Sequence, residues 1–364
     1  LTPVVGEMGQ QTPSSSELTN GVQLWASNFS REGYGFAGWA DSTTYNGLRY
    51  GPQQTINAPS DVNTNGYSLY AIWIKSAGNL QNWTGCSNLS QGEVTALKDT
   101  RDNDVYAVAK LADDKCWMIE NLRLENTAQQ NTSGSLAQGY NSSFIGLADP
   151  ESDNFSNSTI ANSLYSIDGS TDATILGDYQ GYRFPRYNNF NTVNRANNTA
   201  NTNVNTYSYG NYYTWHAAVA DTTHYNTDNQ SIETTSICPT GWRLPKGGNN
   251  QNTTNNEYLA LGVALTGAQP ANYSSFAFPA YLGDPEGINA SNLLRSYPNN
   301  FLYSGYFYGS VADNRGKFGY YWSSTVSNNN YGSYRLYLSS SQIYPGTYGI
   351  DKRLGYTIRC MIGS

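Results

Sequence analysis

Charge is scarce in this chain. Only 13% of its 364 residues are Asp, Glu, Lys or Arg, and the formal balance is −7. Lys and Arg nowhere gather into a cluster, so no face is set up to neutralise a run of phosphates, which argues against a nucleic-acid partner. No apolar run approaches the ~18 residues of a membrane span. Histidine is limited to His216 and His224, and the four cysteines form no Cys-x-x-Cys pair, so a zinc site is not expected, which leaves a structural calcium open. Neither a Ser-His-Asp order nor a paired-carboxylate signature stands out. The chain is not expected to be an enzyme, and no cofactor is implied.

Asn, Ser, Thr, Gly and Tyr carry the polarity instead, a mixture closer to secreted and surface-layer proteins than to cytosolic enzymes. Aromatics reach 14%, with 31 Tyr and 8 Trp, enough to build cores rather than leave the chain disordered. The length fits two domains or one with large insertions. Cys86, Cys116, Cys238 and Cys360 allow three pairings, and two structural disulfides formed in an oxidising compartment are expected. The start at Leu1 rather than Met suggests a processed product, any leader or anchor lying upstream.

Residues 1–75 read as a small β-rich unit. Arg31 to Ala40 (REGYGFAGWA) is followed by a polar loop with Gly47, Gly51 and Pro52. The strand Tyr67 to Trp73 then places Leu69, Ala71 and Trp73 on one face and Tyr70 and Ile72 on the other. The Gly-Tyr-x-Phe-x-Gly-Trp run and the Leu-Tyr-Ala-x-Trp ending resemble the Listeria–Bacteroides repeat, the B-repeat of internalin-type surface proteins. That resemblance implies a β-grasp-like spacer. Such repeats begin with a strand ending in Asn-Gly-Gly, and none precedes Gly6. The missing strand is expected upstream, or from another segment, or from a neighbouring chain that completes the sheet.

Residues 76–82 form a short polar linker. Val94–Leu97 and Val105–Leu111 then read as a β-hairpin about the turn Asp99 to Asp104. The three aspartates of that turn lack EF-hand spacing and a closing Glu, so a solvated turn is expected rather than a calcium loop. Cys86 and Cys116 flank the hairpin and could meet across its open end. Residues 126–206 are an Asn-rich insertion, either a functional excursion or mobile. Its sequons, at Asn131, Asn154, Asn197 and elsewhere, are mostly what its composition yields by chance. In the Tyr209–Ala220 segment His216 reads as a packed histidine rather than a catalyst.

Five separated motifs carry a second resemblance. They are Cys116 to Leu122 (CWMIENL), Tyr212 to Val219 (YYTWHAAV), Cys238 to Pro245 (CPTGWRLP) with the helical Glu257–Leu265 behind it, Tyr320 to Thr325 (YYWSST), and Gly355 to Cys360 (GYTIRC). In this order they resemble the Fibrobacter succinogenes major paralogous domain family, over about Trp83 to Cys360. The implied fold is C-type-lectin-like. The whole chain is thus expected to be α+β, a β-grasp-like unit (1–75) followed by a lectin-like domain (83–364) with long irregular loops. Within that fold a Cys238–Cys360 bridge would fasten the two ends of a loop-rich domain, and Trp215, Trp242 and Trp322 would anchor its core. The Glu-Pro-Asn, Gln-Pro-Asp and Trp-Asn-Asp motifs of calcium-dependent sugar binders are absent: Ser323 and Ser324 follow Trp322, and Asp284-Pro285-Glu286 is no match. The related sulfatase-activating oxidases need reactive thiols, which the expected disulfides would remove.

The stretch from Ser327 to Tyr348 combines rigid aromatics with small polar residues, as adaptable paratopes do. Proteins diversified by retroelements place variable binding surfaces in a similar part of a lectin-like fold. Asn328, Asn330, Tyr331, Tyr334, Tyr337, Tyr344 and Tyr348 are therefore the candidate ligand contacts. The expected role is non-catalytic recognition or adhesion at a bacterial surface, the partner being a surface protein or glycan. The alternative is a subunit of an extracellular filament or surface layer, with copies of itself as partners.

Overall fold

The computed structural model describes residues 13–123 and 209–362, apart from 28–30, 58, 60–65, 102, 211, 214, 220–230, 249–253, 268–289, 309–310, 328–331, 341–342 and 353. The Asn-rich insertion, its sequons, His224 and Asp284 to Glu286 lie outside these residues, as does the side chain of His216. The architecture is mixed: antiparallel sheets with a few short helices, consistent with an α+β or mainly β class.

Helix α1 (Ser15–Asn20) opens on a capping box, in which Glu17 N–H donates to Ser14 Oγ and Ser14 N–H donates to the Glu17 carboxylate. Strand β1 (Val22–Gln23) pairs with β4 (Thr55–Ile56). Strands β2 (Tyr34–Ala40), β3 (Arg49–Tyr50) and β5 (Tyr70–Lys75) form a sheet in the order β3-β2-β5. Alternation in β5 follows the sequence pattern. Leu69, Ala71 and Trp73 pack with Leu24, Phe36, Trp39 and Ile56, while Ile72 points into the main core.

The hairpin β6 (Val94–Lys98) and β7 (Val105–Lys110) pairs residue for residue, and β8 (Cys116–Met118) extends it. The last strand, β14 (Met361–Ile362), joins β8, giving the order β14-β8-β7-β6. The turn after β6 departs from expectation. Asp99 is fully buried and ion-paired to Arg101 at 2.5 Å, with Gln81 Nε2 donating at 2.7 Å. A carboxylate and guanidinium that satisfy each other can leave water together, so the turn is packed at Asp99 while Thr100 and Asn103 stay exposed.

The expected linker is also structural. Leu80 is buried and its carbonyl accepts from Trp242 Nε1 at 2.9 Å, while Ala77 N–H donates to Ala96 O. One buried cluster runs across this connection, combining Ala37, Ala40 and Ile72 with Ala107, Trp117, Leu259 and Phe301. The Glu120 carboxylate fastens the same seam, accepting from Phe36 N–H at 3.1 Å, Ala107 N–H at 2.7 Å and Arg123 Nη1 at 3.1 Å. Gly35 lets the two backbones approach: a Cβ there would sit 2.5 Å from Ala107 N. The residues before and after 76–82 therefore share a core.

The C-terminal half carries helices α2 (Trp215–Val219), α3 (Glu257–Thr266) and α4 (Ala290–Arg295). Helix α3 starts where Asn256 Oδ1 accepts from Leu259 N–H and stops at Gly267, which is left-handed with φ 69°. Strands β9 (Tyr306–Tyr308) and β10 (Val311–Asp313) make a hairpin. Strands β11 (Gly319–Val326), β12 (Gly332–Leu338) and β13 (Ile343–Asp351) form an antiparallel sheet.

Trp215, Trp242 and Trp322 are completely buried, and each indole N–H has a carbonyl acceptor: Ser323 O at 2.8 Å, Leu80 O at 2.9 Å and Tyr213 O at 2.7 Å. The four cysteines form two disulfides, Cys86–Cys116 and Cys238–Cys360. Arg359, beside the second, is also buried, its charge spread over Asn121 Oδ1 and the carbonyls of Met118, Asn299 and Asn300.

Candidate functional site

Strict alternation in β12 decides which side chains meet. Tyr334, Leu336 and Leu338 share one parity, and all three are buried. Arg335 and Tyr337 share the other. Antiparallel register sets Tyr320 opposite Tyr337 and Trp322 opposite Arg335 on β11, and Tyr344 opposite Tyr337 on β13. One face of this sheet feeds one buried cluster through Tyr321, Leu336 and Leu338; the other lies over a second cluster, in which Tyr320, Trp322 and Tyr356 are buried, and leaves Arg335, Tyr337 and Tyr344 half-exposed at its margin.

Two distant segments complete that face. Tyr306 enters from β9, its ring 5.3 Å from Tyr320. Tyr356 arrives from the closing segment, where Tyr213 and Tyr356 exchange backbone hydrogen bonds, and stacks on Tyr320 at 5.1 Å and 11°. Tyr337 continues the row to Tyr344 at 5.4 Å and to Phe318 at 5.6 Å. Together Tyr306, Asn314, Tyr320, Arg335, Leu354 and Tyr356 line a cleft of about 330 Å³.

The guanidinium of Arg335 lies 4.9 Å from the Tyr320 ring, 5.1 Å from Tyr356 and 5.9 Å from Tyr337. Such contacts contribute about 0.5–2 kcal/mol each, depending on desolvation. Arg335 Nη1 donates to the Tyr356 hydroxyl, and Nε is buried with no hydrogen-bond partner. Among the described residues no carboxylate pairs with Arg335, although Arg101, Arg123 and Arg243 all have one. Burial pushes the Tyr320 hydroxyl well above its ordinary value, against the opposing pull of Arg335. The phenol therefore stays neutral and cannot serve as the missing counter-charge.

Two of the expected contacts, Tyr337 and Tyr344, belong to this aromatic row and are half-buried. Tyr334 does not: it is 1% exposed, because its place in the pleat turns it inward with Leu336. Asn328, Asn330 and Tyr331 lie outside the described residues, as does the side chain of Tyr348. Arg335, Tyr320, Tyr306 and Tyr356 were missed in the sequence. The period-two pairing of Arg335 with Tyr337 could have revealed the first, but no local signal brings residues 306 and 356 to residue 335.

The chain matches no family model, no curated protein and no solved structure. Among the described residues no group of three or more His, Cys, Asp or Glu is arranged to hold a metal ion, and no helix is long and apolar enough to cross a membrane.

Proposed function

We propose that this is a non-catalytic recognition protein of the bacterial cell surface, presenting the half-exposed margin of β12 and β13 around Arg335, Tyr337 and Tyr344 to a surface protein or glycan. One observation carries the reading: a half-exposed cation with no carboxylate partner among the described residues stands in a cleft, backed by packed tyrosine rings. Tyrosine and arginine supply large contact areas with polar handles, the residue types that dominate binding energy at interfaces. The lectin-like expectation is supported by the tie between the chain end and Cys238, which steadies the segment carrying Tyr356. An extracellular location is in keeping with two disulfides. The test is an array of bacterial and host glycans and surface proteins probed with the full chain and with a Tyr337→Ala/Tyr344→Ala variant. Binding by the parent that the variant loses supports the reading. Binding that survives in the variant, or none at all, removes it.

The filament or surface-layer reading has its own observation. The large apolar side chains Leu48 and Tyr70 are 63% and 40% exposed. Both flank the same end of the β3-β2-β5 sheet, since Tyr70 pairs with Ala40 and Leu48 O accepts from Asp41 N–H. A second copy docked on that end of the sheet, completing one of its edges, would cover them. Negative-stain images of concentrated protein should then show a fibre or lattice that Leu48→Asp/Tyr70→Asp abolishes. Dispersed particles from the parent protein would refute it.

A further inference from the structure

We propose that the Arg335 cleft binds a carboxylated sugar, the carboxylate meeting the guanidinium and the ring lying against Tyr306. The inference rests on the recognition reading above and deepens it. Three features of the cleft point to this ligand chemistry.

The first is charge. A partly desolvated guanidinium among three aromatic rings, with no acidic partner among the described residues, is incomplete electrostatically. The planar fork of Arg matches the two oxygens of a carboxylate, and ring contacts hold that fork in place before the ligand arrives. The second is the wall. Tyr306, half-buried, has ring surface left for the C–H side of a pyranose, with half-buried Asn314 and Leu354 beside it, while Tyr320 and Tyr356, buried and stacked on each other, back the guanidinium. A cleft made for an aliphatic acid would be lined by Leu, Val or Phe, but here Leu354 is the one aliphatic side chain among six lining residues. The third is size. About 330 Å³ lies at the lower end of the ~300–1,000 Å³ usual for small-molecule sites. That suits one terminal or branching sugar ring rather than a length of polysaccharide backbone.

The experiment titrates the full chain by calorimetry with methyl β-glucuronide, with its neutral counterpart methyl β-glucoside, with the methyl glycoside of N-acetylneuraminic acid, and with inorganic phosphate. A charge-assisted pair predicts that a carboxylated sugar binds roughly ten- to a hundred-fold tighter than the neutral one. Whichever of the glucuronide and the sialoside shows that preference identifies the source of the carboxylate. Arg335→Gln should erase the preference and Arg335→Lys should keep part of it. The comparison of sugars on the unaltered protein does not depend on a variant that could misfold. Equal binding of glucuronide, sialoside and glucoside, or a preference that survives Arg335→Gln, overturns the carboxylate inference and leaves the recognition reading intact. Phosphate binding as tightly as the sugars shows that the ring contributes nothing and overturns the sugar half. If none of the four probes binds, the inference fails, and the array with its Tyr337→Ala/Tyr344→Ala control then decides separately whether the recognition reading fails with it.

Discussion

Replacing Cys238 and Cys360 by alanine should destabilise the protein more than replacing Cys86 and Cys116, by a margin that the loop lengths fix. The first bridge spans 122 residues and the second 30. When a cross-link removes closure entropy from the unfolded chain, the cost of losing it is about 4.9 kcal/mol for the long loop and about 3.6 kcal/mol for the short one. The difference, about 1.3 kcal/mol, is firmer than either value because the constant part of each closure cancels. Alanine is the right replacement: Cys238, Cys360 and Cys116 are completely buried, and serine hydroxyls there would add an unrelated desolvation cost. Urea unfolding of the parent and the two double variants, followed by tryptophan fluorescence, gives the comparison, with the slopes checked for a common unfolding reaction. Equal losses, or a larger loss from the 86–116 pair, would refute the argument. They would mean that packing around each sulfur, rather than chain entropy, sets what the bridges contribute.

Three further outcomes are expected. The Glu257 carboxylate, which burial alone would raise, is held at about 2 by bidentate Arg243 at 2.6 Å and by Lys115 at 2.8 Å. Its contribution, about 3 kcal/mol, is present above pH 4.5 and is lost as pH falls towards 2, so Glu257→Gln should be less stable at pH 7 and flatter across that window in acid unfolding. Asp113 behaves oppositely. Burial raises it to about 6 despite the Trp117 N–H, so its contribution is present below 3.8 and fades as pH rises through 6, and Asp113→Asn should gain stability near neutral pH in the same assay. Gly35→Ala would force a methyl to within 2.5 Å of a backbone nitrogen that cannot move freely, at a cost of about 1–3 kcal/mol in urea unfolding; an unchanged midpoint would show that the seam is looser than drawn.

The sequence made local structure legible and distant assembly mostly not. Alternation in Val94–Leu111 marked the hairpin, and the apolar run Glu257–Leu265 marked α3, whose cap at Asn256 and stop at Gly267 the structure supplies. The joint between the N-terminal strands and the rest was hidden. It depends on Glu120 accepting from Phe36, a carboxylate that reads in sequence like any surface acid. Asp99 misled for the same reason, since only the fold shows that Arg101 and Gln81 accompany it into the interior. Around the cleft, composition pointed to the stretch that forms β12 and β13 but could not sort its side chains by face. Tyr-rich composition says nothing of which tyrosines face inward, and the pleat assigns Tyr334 to the core and Tyr337 to the outer row.

The row of rings around Arg335 is built from stretches near residues 306, 320, 337, 344 and 356, each reaching it by a different route through the chain. No single loop can be lifted out and grafted elsewhere with its specificity intact. Substitutions in separate stretches will not act independently, because every ring is positioned by rings from other stretches, and a scan of single replacements will sum to more than the whole. Variation that retunes such a surface has to arise at several places in the gene together, or at the rim where neighbouring rings do not feel it.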